Sequence, residues 1–372
     1  MDLTNTPYSA RLLTEDDNRQ MLDILKSSPI ESGGLSICFD REPDIFVMAN
    51  LKYKPSKYIG IFLGDQLLGF GLIGYHAGNV LGEYQKVFHF SNVFMRKEFR
   101  NKGLFLRAHD MFFKEIVQGS YLGYAVIMKG NKNAERYIGW QSERYPYIPY
   151  SSFLTTLDVR NIVITLKKRE RKIAVRKARP EDIISIVSLL KTEFSKRLFA
   201  PEISIEEFQN DLVNRPDFSI NNYYVVEKEN RITGVCAAWD CSSFKQIRIL
   251  KYGSKFKRIR NFYRLFSALF KLPSLPDPGH SFKAVYITSC AVENHDPKIM
   301  NAMLRKIYNE YRIKEFNIIV FGSYVNDRLL KATNGFLFQS VKSNIYLYHK
   351  DKSVVENLKQ NEQYPYIDMA FL

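Results

Sequence analysis

One succession of apolar runs, helical patterns and turn residues fills residues 9–159 and recurs over residues 173–336, and this repeat constrains the fold more than any single motif. In the first copy a short strand at 9–13 leads into a helix capped by Thr14, Glu15, Asp16 and Asp17, with Met21, Leu22, Ile24 and Leu25 along it. Strands at 58–63 and 67–73 flank the turn Gly64-Asp65-Gln66, a hairpin signal. A strand at 86–95, a basic turn, a helix at 102–117 and a continuous apolar strand at 124–128 follow. A short helix then stops at Gly139-Trp140, and a strand at 153–159 closes the copy. After the charged run 167–172 the order begins again. It gives a strand at 173–177, a helix carrying Ile183, Ile186, Leu189 and Leu190, and a hairpin at 223–227 and 232–239. A strand at 284–292, a helix at 299–311, a strand at 317–321 and a second helix after Asn326 complete it. Each copy reads β-α-β-β-β-α-β-α-β, which sets a first unit at 1–160, a linker at 161–172 and a second unit at 173–372.

Within the first copy, Phe94, Met95 and Arg96 end a β-prone run and Arg100, Asn101, Lys102 and Gly103 form a basic turn. Leu104 and Phe105 open the next helical pattern. A strand–turn–helix of this kind aims several backbone N–H groups and a helix N-terminus at one place, an anion site suited to a pyrophosphate. The bland alternative is a surface turn that binds nothing. The second copy has Glu293-Asn294-His295-Asp296-Pro297 at this point, acidic and without glycine, and therefore a poor home for a pyrophosphate.

The second copy also carries an insertion at about 242–280. Its section 244–271 holds Lys245, Arg248, Lys251, Lys255, Lys257, Arg258, Arg260, Arg264 and Lys271 without an acidic residue, and its apolar residues fall at roughly helical intervals. Three readings stay open for this segment: a solvated helix packed on the second unit, a dock for an acidic carrier protein or anionic surface, or a nucleic-acid site whose aromatics stack on bases. The formal net charge of +15 fits any of them. The four cysteines, Cys38, Cys236, Cys241 and Cys290, lack metal-ligand spacing and read as buried free thiols in a reducing compartment. Neither a signal-peptide pattern at the N-terminus nor an apolar run of the ~20 residues needed to span a membrane is visible, so a cytoplasmic protein with no metal is expected.

The run from Met95 through Arg100 and Gly103 to Phe105 resembles the acyl-CoA-binding motif of the GNAT (GCN5-related) N-acetyltransferases, Arg/Gln-x-x-Gly-x-Gly/Ala after the fourth strand. Arg100 and Gly103 match it, and Phe105 stands where Gly or Ala is usual. Asn131, Ala134, Tyr137, Gly139 and Trp140 follow in the order of the family's second motif, with the helix about a turn shorter. The resemblance implies an α/β fold of two tandem GNAT-like domains, each a mixed, mostly antiparallel sheet flanked by helices. It implies that the first domain transfers an acetyl group from acetyl-CoA, or another acyl-CoA, to a primary amine of a small molecule by direct attack, and that the second shapes the acceptor cleft.

The same resemblance suggests roles. Phe94, Met95, Arg96 and the turn Arg100 to Phe105 would hold the donor. Asn131 would bond the pantetheine arm or cap the helix, as would Asn133. Tyr137 is the candidate general acid toward the thiolate. His89, near the position of the family's catalytic glutamate, is the candidate base, an imidazole titrating near neutrality, with Glu83 the fallback. Two alternatives remain open from sequence: an aminoacyl-tRNA-dependent transferase of the Fem type, which also pairs two such domains, and a non-catalytic binding or scaffold protein.

Overall fold

The two copies begin with the same local device. In β1 (Tyr8–Leu12) Arg11 donates both Nη groups to Asp17 at 2.8 Å, and Asp17 also accepts from the Thr14 amide at 3.0 Å, which fixes the entry to α1 (Asn18–Lys26). In β9 (Arg176–Lys177) Arg176 grips Asp182 at 2.6 and 2.9 Å, and Asp182 accepts from the Arg179 amide before α4 (Ile183–Phe194). A carboxylate that closes a helix start and pairs with a strand arginine ties each strand to its helix. This computed structural model describes residues 7–32, 34–105, 122–139, 149–254, 260, 267, 272–361 and 363–372.

The first half continues with β2 (Ile30–Ser32), β3 (Leu35–Asp40), α2 (Phe46–Lys52), β4 (Ser56–Leu63), β5 (Gln66–Val80), β6 (Glu83–Met95), β7 (Gly123–Met128), α3 (Lys132–Gly139) and β8 (Tyr150–Val163). The second half holds α5 (Ile205–Asn214), β10 (Tyr223–Lys228), β11 (Arg231–Asp240), β12 (Gln246–Tyr252), β13 (Ser281–Phe282) and β14 (Ala284–Val292). It ends with α6 (Pro297–Ile313), β15 (Ile318–Tyr324), β16 (Phe338–His349) and α7 (Lys352–Gln360). Of the helix expected at 102–117, residues 104–105 are helical and 106–117 lie outside the described residues, as does Trp140.

One twelve-stranded sheet runs through both halves in the order β1-β4-β5-β6-β7-β16-β8-β15-β14-β11-β10-β9. The order is a palindrome in kind. From either edge come the first strand, the hairpin strands, the long strand and a parallel partner, β6 with β7 and β14 with β15. At the centre the halves exchange: β16, late in the second half, lies between β7 and β8, while β8 of the first half pairs with β15. The antiparallel β8·β16 ladder runs from Ile162↔Phe338 to Tyr150↔His349. Its alternate side chains serve opposite faces, Leu157, Ile345 and Leu347 in the central core and Tyr346 and Tyr348 against the α3 side.

Three expectations need correcting. The insertion does not begin as a helix: residues 246–252 form β12, which pairs with β3 of the first half in a second sheet, β13-β12-β3-β2. Ile247 and Ile249 also satisfy a period of two, and β3 supplies the strand edge that a reading of residue intervals cannot see. Arg248 pairs there with the fully buried Asp40 at 2.7 Å. The strand expected at 173–177 is confined to Arg176–Lys177. The helix expected after Asn326 is a 3-10 turn, Arg328–Thr333, capped by Asp327 and stopped before Gly335, whose φ is +86°.

Because each half completes its sheet with a strand of the other, the halves should melt together. Ile345 is fully buried on the exchanged strand, and Ile345→Ala is expected to cost about 2–5 kcal/mol and to lower one calorimetric transition. Two separate transitions in the wild type would contradict the coupling.

Candidate active site

The bend that opens the first half is built into β6. Between the pairs Phe70↔Phe94 and Leu72↔Ser91, β6 uses one residue more than β5, and Asn92 takes up the bulge with φ 51°. Gly69 lets the strands close there, since a Cβ on it would lie 2.7 Å from the Phe94 carbonyl oxygen. Beside β7 the parallel ladder holds only Phe88↔Gly123 and His89↔Tyr124. Past that point β6 and β7 part, leaving a wedge whose edge on β6, from Phe90 to Met95, pairs with no residue of β7 among the described residues.

The basic turn lies at the end of this wedge. Arg96 donates Nε to the Leu67 carbonyl at 2.7 Å, and its amide bonds Leu68 O at 2.8 Å, which pins the strand end. Arg100 folds back, Nε to Met95 O at 3.0 Å and Nη2 to Ser28 Oγ at 3.3 Å, so it braces the turn as well as charging it. Asn101 and Gly103 both have positive φ, 63° and 69°, and among the described residues nothing crowds the Cβ position of Gly103. Lys102 lies over the Phe99 ring at 4.8 Å. Leu104 is buried in the cluster of Phe88, Phe90 and Ile138, and Phe105 packs against the same cluster, toward the sheet. Consecutive exposed residues in left-handed or turn conformations at the start of a helix leave backbone N–H groups available to an anion.

Asn131 caps α3, accepting from the Ala134 amide through Oδ1 at 3.3 Å. Tyr137 lies on α3, directly after β7, and its side chain falls outside the described residues. Glu83 opens β6 at the end remote from the wedge.

His89 is corrected. Its side chain is 3% exposed, and burial, with Lys52 and His76 nearby, holds its pKa well below the ordinary 6.5. Lys52 Nζ is 3.3 Å from Nδ1, and the Tyr53 hydroxyl also contacts Nδ1. Burial raises the Tyr53 pKa well above 10, so the phenol keeps its proton. The ring stacks on Tyr124 at 4.3 Å, and Tyr124 stacks on Phe199 of the second half at 4.7 Å. Tyr53 reaches this place because Gly74, paired with His89, leaves room for its ring. An imidazole held well below its ordinary range is a weaker base than the near-neutral one expected.

The second half repeats the geometry and fills it. Between Val235↔Ala291 and Ala237↔Thr288, β14 carries the same one-residue bulge, with Ser289 at φ 47°. By that register Tyr286 and Thr288 are the counterparts of His89 and Ser91. β14 and β15 part after Tyr286↔Val320. Here the turn Glu293–His295 sends His295 inward, to Glu193 at 3.1 Å and Asp327 at 3.4 Å. Asp327 also takes Arg197 at 2.9 Å, Ser323 Oγ at 2.6 Å and the Leu329 amide at 2.9 Å. The cavity left beside them measures about 60 Å³. Ligand sites of drug size run from roughly 300 Å³ upward, so this wedge has no room for a pantetheine arm.

Between the two bulged strands lies the segment 368–371. Thr288 Oγ1 donates to Asp368 at 2.5 Å, Lys245 Nζ to Met369 O at 3.1 Å and Ala370 O at 3.0 Å, and Lys52 Nζ to Phe371 O at 3.4 Å. Lys245, expected on a basic surface, is 4% exposed, its ammonium 4.1 Å from the centroid of Tyr286. Arg41 is buried near it at 6% exposure. Sequence reasoning missed Arg41, Lys52 and Tyr53. The one available signal was a lone basic residue among apolar ones, as in Leu51-Lys52-Tyr53, and that pattern is common on ordinary surfaces. Of the rest of the basic insertion, Arg260 pairs with Asp277 and covers Tyr252, and residues 255–259, 261–266 and 268–271 lie outside the described residues.

No family model matches the sequence, and no curated protein matches it. Solved structures do. Saccharomyces cerevisiae N-myristoyltransferase, with bound myristoyl-CoA and inhibitors, superposes with a TM-score of 0.61 at 14% identity, over 92% of this chain and 80% of that one. A GCN5-related N-acetyltransferase from Sphaerobacter thermophilus gives 0.57 at 9% identity, over 98% of both chains. The chain has the GNAT fold, in the tandem arrangement expected from its repeat. Among the described residues no group of His, Cys, Asp or Glu could hold a metal ion, and no helix is long and apolar enough to cross a membrane.

The plug of the second wedge titrates. Its partners Asp327 and Glu193 raise the His295 pKa above the ordinary 6.5. A raised folded-state pKa stabilises fully below the unfolded value and is lost as pH rises through the folded one. Asp327 and Glu193 are depressed, and their contribution is constant above the ordinary carboxylate range. His295→Gln should therefore lower Tm at pH 6 and lower it less at pH 9, and an equal loss at both would show that the charge is not involved.

Proposed function

We propose that the chain is an acyl-CoA-dependent N-acyltransferase whose first half binds the donor and whose second half shapes the acceptor cleft, with acetyl-CoA as donor and a primary amine of a small molecule as acceptor. The observation that carries this reading is the contrast between the wedges. Two strands bend by the same one-residue bulge, one wedge ends in a glycine turn at a helix start, and the other is filled by ion-paired side chains. The N-acyltransferase function of the structural neighbours supports the same class.

In this reading the pyrophosphate meets the backbone of Arg100 to Phe105, and the pantetheine lies along the free edge of β6 toward Phe94, Met95 and Arg96. Backbone N–H groups there polarise the thioester carbonyl. Holding amine and thioester together removes most of the entropic barrier to attack. The amine must arrive unprotonated, and the cationic surroundings formed by Arg41, Lys52 and Lys245 depress the pKa of an ammonium placed among them. His89 keeps the strand at the start of the wedge in place through Tyr53 and Tyr124. Tyr137, on the helix after β7, protonates the departing thiolate.

Calorimetry with CoA tests the donor site. Wild type should bind, and Gly103→Glu, which puts a carboxylate and a strained φ at the turn, should weaken binding at least about tenfold. No binding to the wild type would overturn the reading. Tyr137→Phe should leave CoA affinity unchanged and lower kcat about a hundredfold or more; an unchanged kcat would remove Tyr137 from the chemistry.

A further inference from the structure

The contact between the two halves holds more positive charge than the described residues neutralise. Arg41 donates Nη1 to the Asp40 carbonyl at 2.9 Å, and its other guanidinium N–H groups have no hydrogen-bond partner among the described residues. Lys245 and Lys52 rest on the carbonyls of Met369, Ala370 and Phe371, and no carboxylate lies within 4.0 Å of either ammonium or of Arg41 among the described residues. Asp40 is held by Arg248. Asp368 is the one carboxylate near both lysines among the described residues, and it is bonded to Thr288 and to the Ala370 amide. Carbonyl dipoles do not offset the removal of several like charges from water, so buried cations in proteins are ordinarily paired. Each cation here makes the next one costlier: burial, then Arg41 and later Lys52, pull the Lys245 pKa down to about 7.

The group is also placed for function. Lys52 touches His89 at the last paired residue before the wedge, and Lys245 covers Tyr286, the counterpart of His89 on the other bulged strand. Arg41 lies near Tyr58, whose hydroxyl is 3.5 Å from the side-chain Nδ2 of Asn92 at the bulge itself. The three cations thus run from His89 on β6 to Tyr286 on β14.

Resting on the acyltransferase reading above, we infer that the acceptor carries a carboxylate beside its amine, that is, an amino acid or a close relative, and that Arg41, Lys52 and Lys245 hold that carboxylate. An acid pairs directly with the guanidinium and the ammonium groups, and a neutral amide leaves them uncompensated. The same cations would repel a polyamine or an amino sugar. Specificity arises from that repulsion as much as from the new contact.

The test is binding of the reaction product, which needs no donor. Calorimetry on the full chain compares a panel of N-acetyl amino acids, small, apolar and acidic, with their primary amides. The acids should bind at least about tenfold more tightly than the matched amides, the difference expected of hydrogen bonds to charged groups. Lys245→Met and Arg41→Leu should abolish the preference while leaving CoA affinity unchanged. If either variant does not fold, the wild-type comparison still decides. Amides that bind as tightly as acids, or a panel in which no acid binds, overturn the inference. Failure of CoA binding with the acid preference intact would instead overturn the donor reading alone.

Discussion

The antiparallel pairing of β8 with β16 is the interaction on which the rest of the molecule depends. Without β16 the first half would have a gap between β7 and β8, and without β8 the second half would end its sheet at β15. Open edges of that length are a liability in any β protein, and each half removes the other's. The exchange also sets the two bulged strands, β6 and β14, symmetrically about the centre.

That symmetry makes the differences between the halves informative. The same bulge needs a left-handed residue in both, and Asn92 and Ser289 supply it. The strands part in both. Beyond the bulges the halves diverge: a turn with Gly103 leaves backbone exposed, while a turn with His295 directs an ionisable ring into the wedge, toward Glu193 and Asp327. The second copy converts its wedge into packing.

The contact between the two halves shows the opposite case. Its aromatic walls, the Phe199–Tyr124–His89 stack and the Trp239–Phe371 contact, are apolar enough to make each cation costly. Structure alone would favour leucines at positions 41, 52 and 245. Charges kept in such a place mark recognition more than folding.

Much of this was legible in the residues themselves. The repeat of elements, the strand at 284–292 and the glycine turn at Gly103 follow from periodicity and turn chemistry, which are local properties of the chain. The resemblance of the turn and of Asn131 to Tyr137 to the GNAT motifs carried the fold, and superposition with solved structures bears the fold out. Tertiary structure decided the rest. Residues 246–252 became a strand because β3 offered an edge, and no interval count reveals an edge two hundred residues away. His89 read as a titrating base because its sequence neighbours say nothing of burial, and the burial and Lys52 that depress it come from other strands and helices. Lys245 read as surface charge in a basic run, and only the packing of residues 368–371 against it took it out of water. Periodicity records which side of an element faces inward, whereas a pKa and a binding site depend on what arrives on the opposite wall.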